Sequence, residues 1–284
     1  MHADAPSRTA YRVAMHRAAH QLFDHPRIFD DPLAVSIAGL DDASELRAER
    51  GRLQTPTARH LRAFMAVRSR YAEDQLSHAI GHGVRQYVVL GAGLDTYAYR
   101  RPEAVDGLRV FEVDHPATQA WKRDRLAHGR IPIPGSLTFV PVDFEHQTLA
   151  AALVAAGFRT DQPAFFAWLG VVMYLTLEAA TSTLAFIGSL PAESGVTFDY
   201  AISRNALTWM ERMAADALAA RVARAGEPFR LFFEPAELAQ MLANLGFGRL
   251  EDLGAAELNA RYFHERTDGL RIGGGLARLM TARR

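Results

Sequence analysis

Eleven residues, Tyr87-Val88-Val89-Leu90-Gly91-Ala92-Gly93-Leu94-Asp95-Thr96-Tyr97, constrain the fold of this 284-residue chain more than any others. Tyr87 to Leu90 reads as a buried strand, and Gly91-Ala92-Gly93 breaks it into a sharp turn where side chains would obstruct the backbone. Phe111-Glu112-Val113-Asp114 supplies a second strand that ends in acids, with Asp114 21 residues beyond Gly93. In α/β folds this combination holds the adenosine part of a cofactor: the glycines allow close approach, backbone N–H groups face the ligand, and an acid accepts the ribose hydroxyls. Asp114 and Glu112 both have the required spacing.

The turn also discriminates between cofactors. A dinucleotide fingerprint wants a third glycine or alanine where the helix packs on the strand, and an open helix N-terminus for the pyrophosphate. Here Thr96 stands at that position and Asp95 precedes it. A carboxylate repels two phosphates and suits an ammonium group. The turn therefore favours S-adenosylmethionine over NAD.

With 32 basic and 32 acidic residues the formal charge is zero, which gives no electrostatic case for nucleic acid or a membrane surface. Cysteine is absent, excluding disulfides, thiolate catalysis and cysteine-ligated zinc. The opening residues lack the basic flank and apolar run of a signal peptide. Phe165 to Leu175, the longest nearly continuous apolar stretch, falls short of the roughly 20 residues that span a bilayer. A soluble cytoplasmic protein is expected.

Helical spacing over Thr9–Phe23 and Pro56–His78, with a short helix opened by Asp30-Asp31-Pro32, predicts an N-terminal helical cap over residues 1–82. Asp41 to Thr57 reads as a solvated loop or frayed helix. A core domain over 83–284 follows, with strands predicted at Gln86–Leu90, Arg109–Val113, Leu137–Val142, Pro163–Leu169, Val196–Ile202, Arg249–Leu253 and Ala277–Thr281. Alternation with helices implies an α/β fold with a parallel sheet covered on both faces. Alanine-rich sequence from Asn205 to Ala225 interrupts it and predicts a helical lid at about 203–230, over the carboxyl ends of the strands. Glu234-Pro235-Ala236-Glu237 starts another helix that runs through Asn244.

An ordered set of segments resembles the leucine carboxyl methyltransferase-like family, especially its bacterial branch of O-methyltransferases associated with polyketide pathways. These segments are Phe29-Asp30-Asp31-Pro32-Leu33-Ala34, Arg68-Ser69-Arg70, Leu90 to Thr96, Phe111 to Pro116, Val140-Pro141-Val142-Asp143-Phe144, Gly170 to Thr176, and Glu257 to Phe263. The resemblance implies a class I methyltransferase fold, Rossmann-like, with a seven-stranded sheet carrying one antiparallel strand and binding S-adenosylmethionine at the strands' carboxyl ends. By motif, Arg68 or Arg70 would pair with the methionine carboxylate, Arg68 preferred, and a guanidinium suits a carboxylate bidentately. Gly91, Ala92, Gly93 and Asp95 would line the methionine moiety, Asp114 with His115 beside it the ribose, and Asp143 the adenine amino group with Phe144 packed nearby. Asp143 also has a structural reading, as the N-cap of a helix beginning at His146. Leu169 belongs to the same cofactor wall, where relatives of the protein-carboxyl branch carry glutamate. Tyr97 replaces an arginine common in the bacterial pattern.

Such chemistry asks mainly that an acceptor oxygen be lined up with the methyl group and water excluded; a hydroxyl acceptor can also need a base. Base or contact candidates are Tyr174, ranked first, then His16 and His20 on the cap, Arg204 at the lid hinge and His264. His16 and His20 have zinc-like spacing, but Arg17 stands between them where glutamate is expected, so no metal is assigned. The expected activity is an O-methyltransferase acting on a carboxyl or hydroxyl group of a small molecule. The alternatives are an NAD(P)-dependent oxidoreductase and a non-catalytic cofactor-binding protein on the same scaffold.

Overall fold

A computed structural model of the chain describes residues 8–40, 43–100, 107–143, 147–207, 209, 212, 213, 216 and 228–284. Helices α1 (Arg8–Phe23), α2 (Ala34–Ile37), α3 (Ser44–Ala48), α4 (Arg50–Leu53) and α5 (Pro56–Gly81) come first. Then follow β1 (Gln86–Leu90), α6 (Tyr97–Arg100), β2 (Arg109–Asp114), α7 (Pro116–His128), β3 (Leu137–Pro141), α8 (Leu149–Ala155), β4 (Ala164–Trp168), α9 (Leu177–Ser189) and β5 (Gly195–Ala201). The chain closes with α10 (Pro235–Asn244), β6 (Arg249–Leu253), α11 (Ala255–Tyr262) and β7 (Ala277–Arg283).

The seven strands form one sheet in the order β3-β2-β1-β4-β5-β7-β6. β1 to β5 run parallel, and β7 is antiparallel to both β5 and β6. Alternate residues point to opposite faces. Val88, Leu90, Phe111, Val113, Phe166 and Phe198 pack with α8, α9 and α10 on one side. Tyr87, Val89, Val110, Phe165 and Ala167 pack with α1, α2, α5, α6 and α7 on the other. A third cluster joins α5 to α11 and β7 through Phe64, Tyr71, Leu258 and Leu279.

Within the segment 41–57, expected as a solvated loop or frayed helix, the described residues form two short helices, α3 and α4, whose Leu46 and Leu53 are buried rather than solvated. Thr55 caps α5, accepting the amide of Ala58, with Pro56 in the first turn. Beyond β5, most of the expected helix over 205–225 lies outside the described residues. The chain departs from and returns to the strand ends. Ser203 N donates to Phe233 O at 2.9 Å and Phe233 N to Ala201 O at 3.0 Å, while Arg230 N donates to Met173 O at 2.8 Å. No helix among the described residues is long and apolar enough to cross a membrane.

Candidate active site at the carboxyl ends of the strands

The order of winding reverses between β1 and β4, and ligands of open α/β sheets bind outside the carboxyl ends at such a point. Gly91 follows β1 on one side of this crevice, and Gly170 follows β4 on the other. Gly91 and Gly93 have φ of +66° and +47°. A Cβ on Gly91 would collide with Val171, and one on Gly93 would stand 3.0 Å from Ala10 Cβ on α1. The glycines thus let the chain itself close on the turn.

The amides of that turn do not face outward, contrary to the expectation from the motif. Gly91 N and Ala92 N both donate to Val113 O, at 2.8 and 3.0 Å. Gly93 N donates to Asp114 Oδ2 at 2.6 Å. Three consecutive amides are spent on β2, so the turn offers no nest for a pyrophosphate. Asp95 Oδ1 accepts the amide of Tyr97 at 2.8 Å, placing a carboxylate at the start of α6.

Asp114 ends β2 with its other oxygen accepting from His115 N at 2.7 Å. Burial raises its pKa above the ordinary carboxylate value, and the two backbone N–H groups partly offset that rise. Glu112, the other acid with ribose spacing, is consumed below the surface. Lys122 donates to it at 2.6 Å and Tyr99 at 3.1 Å, and burial pushes its pKa up to about 7 against the pull of Lys122. His115 caps α7, its Nδ1 accepting from Ala117 N at 3.3 Å.

Asp143 follows β3. The cap of α8 is Thr148, which accepts from Ala151 N at 3.3 Å; the run starting at His146, before which Asp143 reads as a cap, opens outside the described residues. Phe144 lies outside the described residues.

The two arginines of the 68–70 motif separate cleanly. Arg68 is buried, and its Nη1 donates to Asp199 Oδ2 at 2.8 Å. Arg70 is half-exposed on another face of α5, paired with Asp74 at 2.8 Å. Asp199, on β5, also accepts the amide of Gly170. Gly170 has φ of +72°, and a Cβ there would stand 3.0 Å from both Arg68 Nη1 and Nη2. Leu169 is half-buried against apolar neighbours. The carboxylate nearest this turn therefore comes from the neighbouring strand. Asp199 escaped the sequence reading, although a single acid in the buried run Val196 to Ala201 signals a charged partner.

A second charged group holds the glycine turn from below. Arg17 donates through Nε to Asp31 at 3.0 Å, through Nη2 to Thr96 Oγ1 at 2.7 Å and through Nη1 to Leu94 O at 3.1 Å. Arg100 reaches Thr96 Oγ1 at 2.9 Å, Asp31 at 3.5 Å and Glu73. Burial would raise the Asp31 pKa, but Arg17 and Arg100 outweigh it and hold the group low.

The base candidates disperse. His20 is buried with both nitrogens engaged: Nε2 faces the amides of Ile28 and Phe29 at 3.1 and 3.3 Å and accepts, leaving Nδ1 to donate to Asp24 at 2.9 Å. This is a structural post rather than a base open to an acceptor. Arg204 and His264 are exposed, the first paired with Asp216 and the second 3.4 Å from Glu265. Tyr174 closes a short 3-10 turn after β4, its ring 5.4 Å from that of Phe229. His16, the remaining candidate, lies on α1, whereas Tyr174 follows directly from the turn after β4.

The model of the leucine carboxyl methyltransferase family matches residues 10–188, which include the glycine turn, Asp114, Asp143 and the turn after β4. The chain belongs to this family. It is 33% identical to YktD of Bacillus subtilis, named as a candidate S-adenosyl-L-methionine-dependent methyltransferase, over 95% of each chain. A Parafrankia protein of the same description is 37% identical over 65% of this chain and 59% of its own length. Among solved structures, a candidate methyltransferase from Thermobifida fusca aligns with a TM-score of 0.57 at 16% identity, covering 96% of this chain and 94% of that one. A DUF574 family protein from Streptomyces avermitilis aligns at 0.55 and 18%, covering 95% and 96%. These likenesses speak to the fold, which is the class I methyltransferase fold.

Proposed function

We propose that this S-adenosylmethionine-dependent methyltransferase transfers its methyl group to a carboxyl or hydroxyl oxygen of a small molecule, of polyketide-like character. The observation that carries the reading is the glycine turn, matched by the family model, whose three amides are tied to Val113 and Asp114. Such a turn suits a nucleoside bearing an amino acid and is poorly made for a dinucleotide, which weighs against the oxidoreductase alternative.

In this reading Asp114 binds the ribose, with His115 beside it, and Asp143 the adenine amino group, with Phe144 nearby. Gly91, Ala92, Gly93, Asp95 and Leu169 border the methionine moiety, and Arg68 takes its carboxylate. The cofactor supplies a methyl group made electrophilic by its sulfonium. The chain's residues then have to hold an oxygen in line and exclude water. A carboxylate acceptor brings its own negative charge, whereas a hydroxyl must lose a proton, for which Tyr174 is the nearest candidate. Tyr174, Phe229 and Phe232 form a ring cluster beside the end of β4, with centroids 5.4 and 6.3 Å apart, which supports a flat apolar acceptor. In this reading α1 to α5 form the cap beside this acceptor, and the expected lid at about 203–230 lies mostly outside the described residues.

Incubation with methyl-labelled cofactor and a panel of carboxylic acids, phenols and alcohols tests the assignment. Label in a base-labile ester identifies a carboxyl acceptor, and label in a base-stable ether identifies a hydroxyl. Cofactor binding with no transfer across the panel would favour the non-catalytic alternative.

A further inference from the structure

We propose that Asp199 is a positioning residue that aims the Arg68 guanidinium, and the turn at Gly170, at the carboxylate of the methionine moiety. The inference rests on the cofactor reading above and adds to it a residue on a different strand. Asp199 is buried in β5, flanked in sequence by Phe198 and Tyr200, and an isolated carboxylate there would be costly. Its two oxygens are divided between two partners from different elements. Oδ2 accepts from Arg68 Nη1 on α5, and Oδ1 accepts from Gly170 N just beyond β4.

That division does more than neutralise a charge. A guanidinium has five N–H donors in a rigid plane, so fixing one edge fixes the direction of the others. Among the described residues Asp199 is the hydrogen-bond partner of Arg68, which leaves donors on Nε and Nη2 to offer elsewhere. The same carboxylate pins Gly170, whose missing side chain leaves room at the Nη1–Nη2 edge of the guanidinium; any Cβ there would stand 3.0 Å from both terminal nitrogens. Leu169, immediately before, contributes no charge. The orientation of the positive head and the position of the turn beside its edge thus both depend on one acid from β5.

A carboxylate gripped by an oriented guanidinium should lose affinity when the orientation is lost, while a ligand without that carboxylate should not notice. The test compares S-adenosylhomocysteine with 5′-methylthioadenosine, which keeps the adenosine and the sulfur but lacks the amino-acid end. Both are titrated calorimetrically into wild-type protein, Asp199→Asn, Arg68→Met and the double variant. The expected result is a loss of about ten- to a hundredfold for S-adenosylhomocysteine in Asp199→Asn, the range for a charged hydrogen bond. Methylthioadenosine affinity stays within about twofold, which also reports that the variants remain folded. In the Arg68→Met background, Asp199→Asn adds little further loss, because it acts through Arg68.

Equal loss for both ligands, or no loss for either, overturns the positioning role. Full additivity of the two substitutions does so as well. Wild-type protein that binds neither ligand overturns the cofactor reading itself and the proposal with it, so the two failures are distinguishable.

Discussion

The carboxylate of Asp114 accepts the backbone N–H of Gly93 at 2.6 Å, joining the end of β2 to the turn after β1. Its other oxygen accepts the N–H of His115 at 2.7 Å, so one residue shapes both the turn after β1 and the start of the chain beyond β2. Asp114→Ala is expected to weaken S-adenosylmethionine binding by about ten- to a hundredfold, since it removes a charged acceptor and frees the Gly93 amide. Calorimetric titration checks this, and a variant binding as tightly as wild type would remove Asp114 from the site.

Gly91→Ala should destabilise the protein for two separable reasons. The left-handed conformation at φ +66° costs a side chain about 1–2 kcal/mol, and the new Cβ meets Val171. Val171→Ala in the same chain should recover part of the loss, leaving the conformational part. Urea unfolding of the single and double variants separates the two.

Arg68→Ala should lower cofactor affinity strongly, whereas Arg70→Ala should leave it within about twofold, the range of an exposed ion pair. The two residues are adjacent in motif and differ in the face of α5 they occupy. Equal effects from both would contradict the assignment of the carboxylate to Arg68.

Asp31→Ala should cost about 3–5 kcal/mol of stability, because it leaves the buried Arg17 without its carboxylate and Arg100 with Glu73 as its remaining carboxylate partner. The loss should also loosen the turn at Leu94 and Thr96, which Arg17 holds. Chemical denaturation gives the stability, and cofactor titration the looseness.

A pH signature should come from Asp24, buried beside Arg62 and His20. Burial raises its pKa, but the hydrogen bonds and charges of these partners outweigh that and bring it from 3.8 to about 2. An acid with a depressed folded pKa contributes stability above its unfolded value and loses it as pH falls through the folded one. The contribution, about 2 kcal/mol from the shift, should be complete near pH 5 and decline between about pH 4 and pH 2. Unfolding free energies of wild type and Asp24→Asn should therefore converge as the solution is acidified over that window.

What the sequence disclosed follows the range of the interactions involved. β1, the glycine turn and β2 were legible because apolar runs and glycines act on their own neighbourhood, and β6 and α10 fall on the residues their patterns mark. The segment 41–57 reads between loop and frayed helix because its two short helices bury Leu46 and Leu53 against elements distant in sequence. Asp199 stands out as a lone acid in an apolar run, but its partner was not legible, because Arg68 stands 131 residues away. His20 looked like a base while its partners, Asp24 and the amides of Ile28 and Phe29, were unknown. The turn's glycines were recognised, but their amides were assigned to a ligand when β2 takes them.

The central claim is that the crevice between β1 and β4 binds S-adenosylmethionine. Isothermal titration of the purified protein with S-adenosylmethionine and S-adenosylhomocysteine, with NAD as the control, tests it most directly. The account predicts saturable binding of the first two and none of NAD. Folded protein that binds neither adenosyl ligand, or that binds NAD in their place, would contradict it.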